Sequence, residues 1–329
     1  MKGLILCAGK GSRLYPITRY YPKTLIPIAN TPILHTCIEK LVEQEIKDIG
    51  IVIHPSQEAM IRERIGNGGR WGLTLSYLYQ NEPKGIADAL FHAQNFIGED
   101  SFLLLLGDNL IHESLARLKE LLESHRCRAA LMLTEVRNPR EYGVAEVAGQ
   151  RIVRLEEKPR HPKSNLAVMG AYAFSPAIFN AVTAILPSPR GEYELTDAIQ
   201  WMIDQGESVA CCITDKRIFD VGKLDRLLEA NRWALSQKES VLSLESSLLE
   251  NCQLIPPVAI GPGCALSDSV IGPYVSIGEG TRIEGCRIQN SVILSQVQLK
   301  EIPYLVKDTV IGFRSVITSM HSEGNGTDL

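Results

Sequence analysis

Two patterns, one on each side of residue 250, predict an α/β domain with a mostly parallel sheet followed by a parallel β-solenoid. Before that point short apolar runs alternate with segments of helical period, the arrangement of βαβ units. After it the helical period disappears, and residues 251–329 hold only 12 charged residues but nine Gly and five Pro. In its place aliphatic residues recur every six positions: Leu254, Ile260 and Leu266; Ile271, Ile277 and Ile283; then Ile293, Leu299, Leu305, Ile311 and Ile317. The runs are separated by steps of five and ten. Such a period gives one short strand per face of a triangular solenoid, its aliphatic side chain pointing inward. A small Greek-key barrel would alternate by two instead. Glycines in Ile260-Gly261 and Ile277-Gly278 are expected to permit the turns.

Taken in order, Lys2 to Cys7 reads as a buried strand. Ile33, Leu34, Cys37, Ile38, Leu41 and Val42 then follow the i, i+3, i+4 rule of an amphipathic helix behind Pro32, a suitable first-turn residue. Strands are expected at Ile49 to Ile53 and Leu73 to Tyr79, with helices near Gln57 to Ile65 and Ile86 to Phe96. Phe102 to Leu106 is a further strand, ending at Gly107-Asp108-Asn109. Beyond Arg126 the spacing shortens, with strands at Ala129 to Val136, Val144 to Val147, Ile152 to Leu155 and Val168 to Phe174. Helices near Pro176 to Ile185 and Glu194 to Asp204, a last strand at Val209 to Ile213 and a closing helix at Lys223 to Leu235 complete the first domain, residues 1–238. A Ser/Glu-rich connector over 239–250 leads to the repeat domain, 251–329, which ends in a polar tail.

Composition excludes several classes. At 329 residues the chain has about two domains' worth of length, with 45% hydrophobic and 22% charged residues and 34 Lys+Arg against 38 Asp+Glu. That balance, a net charge of -4, argues against disorder and against a general nucleic-acid-binding field. Phe102 to Leu106 and Leu166 to Phe174 are the best apolar stretches, far short of the ~20 residues of a membrane span. The opening segment lacks a secretory h-region and cleavage pattern, so a cytoplasmic protein is expected. Eight cysteines show no C-x-x-C spacing and read as reduced, buried thiols.

Chemistry is concentrated in the first domain. Cys7-Ala8-Gly9-Lys10-Gly11-Ser12-Arg13-Leu14 follows the first strand, where open α/β sheets place ligands. Its glycines let backbone N–H groups approach an anion, although an ordinary βα turn with a solvated Arg reads equally well from the loop alone. Lys23, in Pro22-Lys23-Thr24-Leu25-Ile26-Pro27, adds a second cation: a guanidinium to fork onto two oxygens and an ammonium to act as a point charge suit a polyphosphate. Asp108, at the end of an apolar strand, is well placed to hold Mg2+, unless Asp-Asn merely forms a turn there. Asp220 in Ile218-Phe219-Asp220-Val221-Gly222 repeats that arrangement.

Together these spacings resemble the sugar-nucleotide pyrophosphorylases, or sugar-1-phosphate nucleotidyltransferases, and within them the long glucose-1-phosphate thymidylyltransferases that carry a C-terminal hexapeptide domain. The resemblance covers nearly the whole chain. It includes Gln80-Asn81-Glu82-Pro83-Lys84-Gly85-Ile86-Ala87, Leu106-Gly107-Asp108-Asn109, Tyr142-Gly143-Val144, Glu156-Glu157-Lys158-Pro159, Ser164-Asn165-Leu166-Ala167, Arg190-Gly191-Glu192-Tyr193-Glu194 with Thr196-Asp197, and Phe219-Asp220-Val221-Gly222. It implies a Rossmann-like mixed-sheet nucleotidyltransferase domain followed by a left-handed parallel β-helix, in a homo-oligomer. The implied reaction is nucleotidyl transfer from dTTP to α-D-glucose 1-phosphate, giving dTDP-glucose and pyrophosphate with Mg2+. Arg13 matches a residue on the leaving phosphates and Lys23 one on the nucleotide phosphates. Asp108 and Asp220 match the metal carboxylates, and Lys158 and Arg190 match cations on the sugar phosphate. Leu6, Ala8, Gly9, Gly11, Ser12, Gln80, Pro83 and Gly85 match nucleotide-binding positions, with Gln80 on the pyrimidine edge. Gly143, Glu157 and Tyr172 match the sugar pocket. No covalent nucleophile or general base is implied, since a phosphate monoester is already largely ionised near neutral pH.

Two departures bear on nucleotide choice. Cys7-Ala8-Gly9 stands where many thymidylyltransferases have Ala-Gly-Gly, and Thr24 where short forms have Gln, so UTP or another NTP is the alternative donor. Two other classes remain in view: a regulatory homologue without turnover, and an acyltransferase in the repeat domain, whose sole histidine is His321.

Overall fold

A computed structural model describes residues 1–319 except 20, 125–126, 238–240 and 243–246, with the backbone alone at 241–242. By their contacts these residues form two compact units. One comprises Met1–Gly11, Pro22–Leu25 and Ile33–Asp220; the other comprises Ser12–Tyr21, Ile26–Pro32 and the chain from Val221.

The chain begins with β1 (Lys2–Leu6), a two-stranded hairpin of β2 (Pro27–Ile28) and β3 (Thr31–Pro32), then α1 (Ile33–Val42), β4 (Asp48–Ile53), α2 (Glu58–Ile65) and β5 (Thr74–Tyr79). Next come α3 (Ile86–Phe91), α4 (Gln94–Ile97), β6 (Phe102–Leu106), β7 (Asn109–Ile111), α5 (Ala116–Glu123) and β8 (Ala129–Glu135). The series ends with β9 (Gly143–Ala148), β10 (Arg151–Glu157), β11 (Leu166–Phe174), α6 (Ile178–Ala184), α7 (Leu195–Asp204), β12 (Val209–Thr214), β13 (Ile218–Asp220) and α8 (Leu224–Ser236). The single helix expected over 86–96 is two, because the Ala93 N–H turns back onto the Leu90 carbonyl at 2.9 Å and tightens the turn. Short β7 and β13 were not foreseen, being three residues each and too brief to show a period.

In the first unit nine strands form one sheet in the order β5-β4-β1-β6-β11-β8-β12-β10-β9. β5, β4, β1 and β6 are parallel, as are β8 and β12. β11 runs antiparallel to both β6 and β8, and β10 antiparallel to β9 and β12. The sheet is therefore mixed, as the family resemblance implies, rather than mostly parallel as the alternation alone suggests. The strands from β9 to β11 follow one another without a crossover helix, and parallel neighbours require one. Leu103, Leu104 and Leu105 of β6 are at most 1% exposed, as a strand covered on both faces must be. Phe102 and Phe174, their ring centroids 5.7 Å apart, sit in the core beside Phe179.

The second unit contains the solenoid: three stacks of short parallel strands, one per face. Down one face the inward residues are Ile260, Ile277, Ile293 and Ile311. Down the next they are Leu266, Ile283 and Leu299, with Leu249 and Ile317 in the same register on the end strands but exposed, and down the third Leu254, Ile271, Ile288 and Val306. Leu305 is a correction to the six-residue register: it pairs with Arg287 and is 43% exposed, while Val306 points in. The corner after Leu299 is one residue longer than the repeat, which reverses strand parity. The step of ten from Ile283 to Ile293 is two steps of five through Ile288. Gly261 and Gly278 also differ from expectation, since the turns use other residues with positive φ, Gly263 and Gly280 among them. What demands glycine is coil stacking: a Cβ on Gly278 would lie 2.6 Å from the Ser295 nitrogen, and one on Gly261 would lie 2.8 Å from that of Glu279.

Part of the expected connector, 239–240 and 243–246, lies outside the described residues, as does His321. The flanking pairs Val241–Leu242 and Leu248–Glu250 already join the first coil. No helix among the described residues is long and apolar enough to cross a membrane. All eight cysteines are free; Cys212 and Cys252 are partly exposed and the other six buried.

Candidate active site

Strand order reverses at β1, which lies between β4 and β6, and open α/β sheets leave a crevice beyond the carboxyl ends at such a point. The chain leaves β1 through Cys7, whose N–H donates to the Val52 carbonyl at 2.7 Å, while the Gly107 N–H donates to that of Leu6 at 2.9 Å. Leu6 and Ala8 are buried and Gly11 has φ of 64°. The loop from Cys7 to Gly11 and the Asp108 turn are thus tied to neighbouring strand ends.

A second, smaller pairing brings the acids together. β13 runs antiparallel to β7 with Asp220 opposite Asn109, so Asp220 is delivered beside Asp108 from 112 positions further along the chain. Asn109 fixes that turn by donating its side-chain amide to the Met169 carbonyl at 3.0 Å. Lys23 enters on a 3₁₀ turn, Lys23–Leu25, closed by a 2.9 Å bond from the Leu25 N–H to the Pro22 carbonyl. Its side chain is 7% exposed; the ammonium ion-pairs with Asp108 and lies 3.8 Å from Asp220 Oδ1, each acid side chain being 32% exposed. A buried ammonium requires such partners.

Two carboxylates facing one cation position suit Mg2+, which commonly takes one or two protein carboxylates and completes its shell with phosphates and water. Among the described residues no cluster of three or more His, Cys, Asp or Glu could hold a metal by itself. Burial, and to a lesser extent the Asp108 charge, push the Cys37 thiol up to about 12. Cys7 is raised for the same reasons, with Cys37 adding to them. Both thiols are neutral near pH 7, which removes the nearest soft nucleophiles from the chemistry.

A second group of charges gathers where β10 ends. Glu157 lies opposite Gly143, and its Oε1 is 3.1 Å from Lys158 Nζ and 3.4 Å from Arg190 Nη1. Its Oε2 accepts from Thr196 Oγ1 at 3.1 Å. Arg190 also reaches Glu194 at 3.3 Å. Burial and the Glu157 charge raise the Glu194 and Asp197 carboxyls. Tyr172, buried in β11, has its phenol raised chiefly by burial and then by Glu157 and Asp108, the acids of both groups.

On the other side, Gln80 is buried and spends its amide N–H groups on the Gly85 carbonyl at 3.1 Å and Asp88 Oδ2 at 2.6 Å. Its Oε1 is the atom left to meet a ligand. Gly85 has φ of 115°, and a Cβ there would strike the Tyr193 backbone. Pro83 is exposed beside it. Ser12 and Arg13 are exposed on the short turn Ser12–Leu14, which by its contacts belongs to the second unit and joins the glycine loop through the chain at Gly11.

The model of the family described as nucleotidyl transferase matches residues 2–237. The chain belongs to that family. A glucose-1-phosphate thymidylyltransferase from Streptomyces griseus is 36% identical over 97% of this chain and 94% of its own length. The low-salt glycan biosynthesis nucleotidyltransferase Agl11 of Haloferax volcanii is 36% identical over 95% and 92%. A crystal structure from Bacillus anthracis, assigned as a glucose-1-phosphate thymidylyltransferase and solved with sucrose, superposes with a TM-score of 0.67. It is 33% identical and covers 71% of this chain and 95% of its own.

In this nucleotidyl transferase, sequence reasoning did not name Asp88, which orients Gln80, and quoted Thr196 and Glu194 within a motif without giving them their roles of holding Glu157 and Arg190. Each acts by a contact that depends on how the chain folds back: Asp88 on Gln80, Thr196 on Glu157 39 positions away, and Glu194 on Arg190 across a loop.

Proposed function

We propose that the enzyme transfers the thymidylyl group of dTTP to α-D-glucose 1-phosphate, giving dTDP-glucose and pyrophosphate. The observation that carries this reading is the convergence of Lys23, Asp108 and Asp220 at the carboxyl ends of β1 and β6, in a chain similar over nearly its full length to a thymidylyltransferase. The sugar-phosphate oxygen attacks the α-phosphorus in line; the new P–O bond forms as the bond to the β-phosphate oxygen breaks, and its electron pair leaves with pyrophosphate. Asp108 and Asp220 would hold Mg2+, which when bound would supply charge neutralisation and Lewis acidity at the phosphates. Lys23 gives up its ion pair for the nucleotide phosphates, and Arg13 takes the departing ones. Lys158 and Arg190 bring in the second anion. Two polyanions are thereby brought together by fixed cations rather than water.

For the nucleotide, residues Leu6, Ala8, Gly9, Gly11 and Ser12 line the phosphates, while Gln80 Oε1, Pro83 and Gly85 face the base. Gly143, Glu157 and Tyr172 face the hexose. In the same reading residues 1–238 are the catalytic domain, 239–250 the connector and 251–329 a left-handed parallel β-helix. The protein works in the cytoplasm as a homo-oligomer with neither nucleic-acid nor membrane partner. Pyrophosphate release is to be measured with glucose 1-phosphate and dTTP, UTP, GTP, CTP or ATP. The expected order is dTTP first and UTP within about 10–200-fold, because a methyl group in an apolar pocket contributes about 1–3 kcal/mol. Preference for a purine nucleotide, or no turnover with any, would overturn the reading.

A further inference from the structure

We infer that the solenoid acts on the reaction at a distance along the chain, by holding the two segments that bracket Lys23, with Asn231 of α8 as the positioning residue. This rests on the function proposed above.

The second unit is not the C-terminal repeat alone. It also holds Ser12–Tyr21 and Ile26–Pro32, the stretches on either side of Pro22–Leu25. Lys23 therefore stands two residues after one held segment and three before the other, and Arg13 lies inside the first.

The attachments are specific. β2 and β3 meet at Ala29 and Asn30, whose φ values of 47° and 63° form the tight two-residue turn of a hairpin. At that tip Asn231, only 1% exposed, accepts two hydrogen bonds at one atom: its Oδ1 takes the Ala29 N–H at 2.9 Å and the Ser276 hydroxyl at 2.7 Å. One buried amide thus ties the hairpin to a solenoid coil. Asn30 donates its amide to the Ile277 carbonyl of that coil at 2.9 Å. Ala29 packs with Leu235 of α8 and Ala259 of the solenoid, all buried, beside Tyr274. At the end of the first segment the Tyr21 ring packs tilted against Phe313, 5.6 Å between centroids. Ala259 and Ser276 occupy matching positions on neighbouring coils; small residues there let the helix and hairpin approach.

Such a tip has no need of a buried side-chain anchor to fold, since a two-residue turn closes itself. What the anchor supplies is a fixed position for the segments on either side of Lys23, the first of which carries Arg13. Loosening it should weaken capture of the triphosphate and leave the sugar-phosphate side, set by Lys158 and Arg190 on the first unit, untouched.

The test compares full-length wild type with Asn231→Ala, Asn231→Asp and Asn30→Gly. Asp keeps the double acceptor. Gly suits the positive φ at 30 and leaves the Ile277 carbonyl its other donor, the Gly261 N–H at 2.8 Å, so this variant folds even if Asn231→Ala does not. Asn231→Ala and Asn30→Gly are expected to raise KM for dTTP, and KM for pyrophosphate in the reverse direction, roughly three- to tenfold. KM for glucose 1-phosphate should stay within about twofold, and Asn231→Asp should restore most of the nucleotide KM. Unchanged nucleotide KM in a folded Asn30→Gly enzyme, or an equal rise for both substrates, would overturn the inference. A wild type that turns over no nucleotide would instead remove the functional reading on which it depends.

Discussion

Asp108, Asp220 and Lys23 form a group of two carboxylates around one ammonium, which leaves a net charge of about -1 but gives each acid a cation nearby. The acids therefore do not depend on a metal to satisfy the fold. An Asp108→Asn protein is expected to melt within a few degrees of wild type yet turn over at least roughly two orders of magnitude more slowly; near-normal kcat would take Asp108 out of the metal site. Chelation with EDTA should likewise abolish turnover and leave the far-UV spectrum and melting temperature unchanged, as no structural metal cluster exists among the described residues. Both acids were legible in the sequence because each ends an apolar run, poor for strand stability and so suggestive of use. That Lys23 would be the group between them was not, since a cation's partners depend on which loop returns to which strand.

His35 in helix α1 and His112, the residue after strand β7, make stability depend on pH. His35 is lowered to about 4, first by burial and then by the Arg70 charge, and His112 to about 4 by burial and then by Lys40. Both values lie below the ordinary 6.5, so between those limits the unfolded chain binds more protons than the folded one. The contribution is complete above pH 6.5 and is lost as pH falls toward 4. Denaturant midpoints at pH 7 and pH 5 should show this, and His35→Gln should flatten the difference; equal slopes would assign it to other groups. In the solenoid, Gly278→Ala tests why glycine follows the inward aliphatic. Its Cβ would meet backbone of the next coil, so a loss of about 1–3 kcal/mol is expected, whereas a turn requirement alone would cost an ordinary-φ residue nothing. The six-residue period gave the faces correctly but misassigned Leu305, because one extra corner residue flips parity without altering the composition that carried the signal.

For the molecule as a whole, a solenoid of stacked coils has strands that bond only to the coils above and below, yet here it also holds two excursions of the N-terminal chain. Family membership over 2–237 speaks for the sheet and its loops. The alignment to the Streptomyces griseus relative, 36% identical overall, covers 97% of the chain and so takes in the repeat as well. If the hairpin anchor matters as inferred, substitutions at Asn231 or Asn30, far along the chain from any phosphate ligand, appear as nucleotide-specific KM changes.

The residues alone determined the α/β alternation, the hexapeptide faces and the identities of the charged side chains, because periodicity and residue chemistry are local and survive in a linear string. Tertiary structure decided what depends on return paths. It set the antiparallel entry of β11, the short β7–β13 pairing that delivers Asp220 to Asp108, the contacts that orient Gln80 and Glu157, and the attachment of the hairpin tip to α8. Each of these is a meeting of segments far apart in sequence, and no spacing along the chain encodes the distance between them in space.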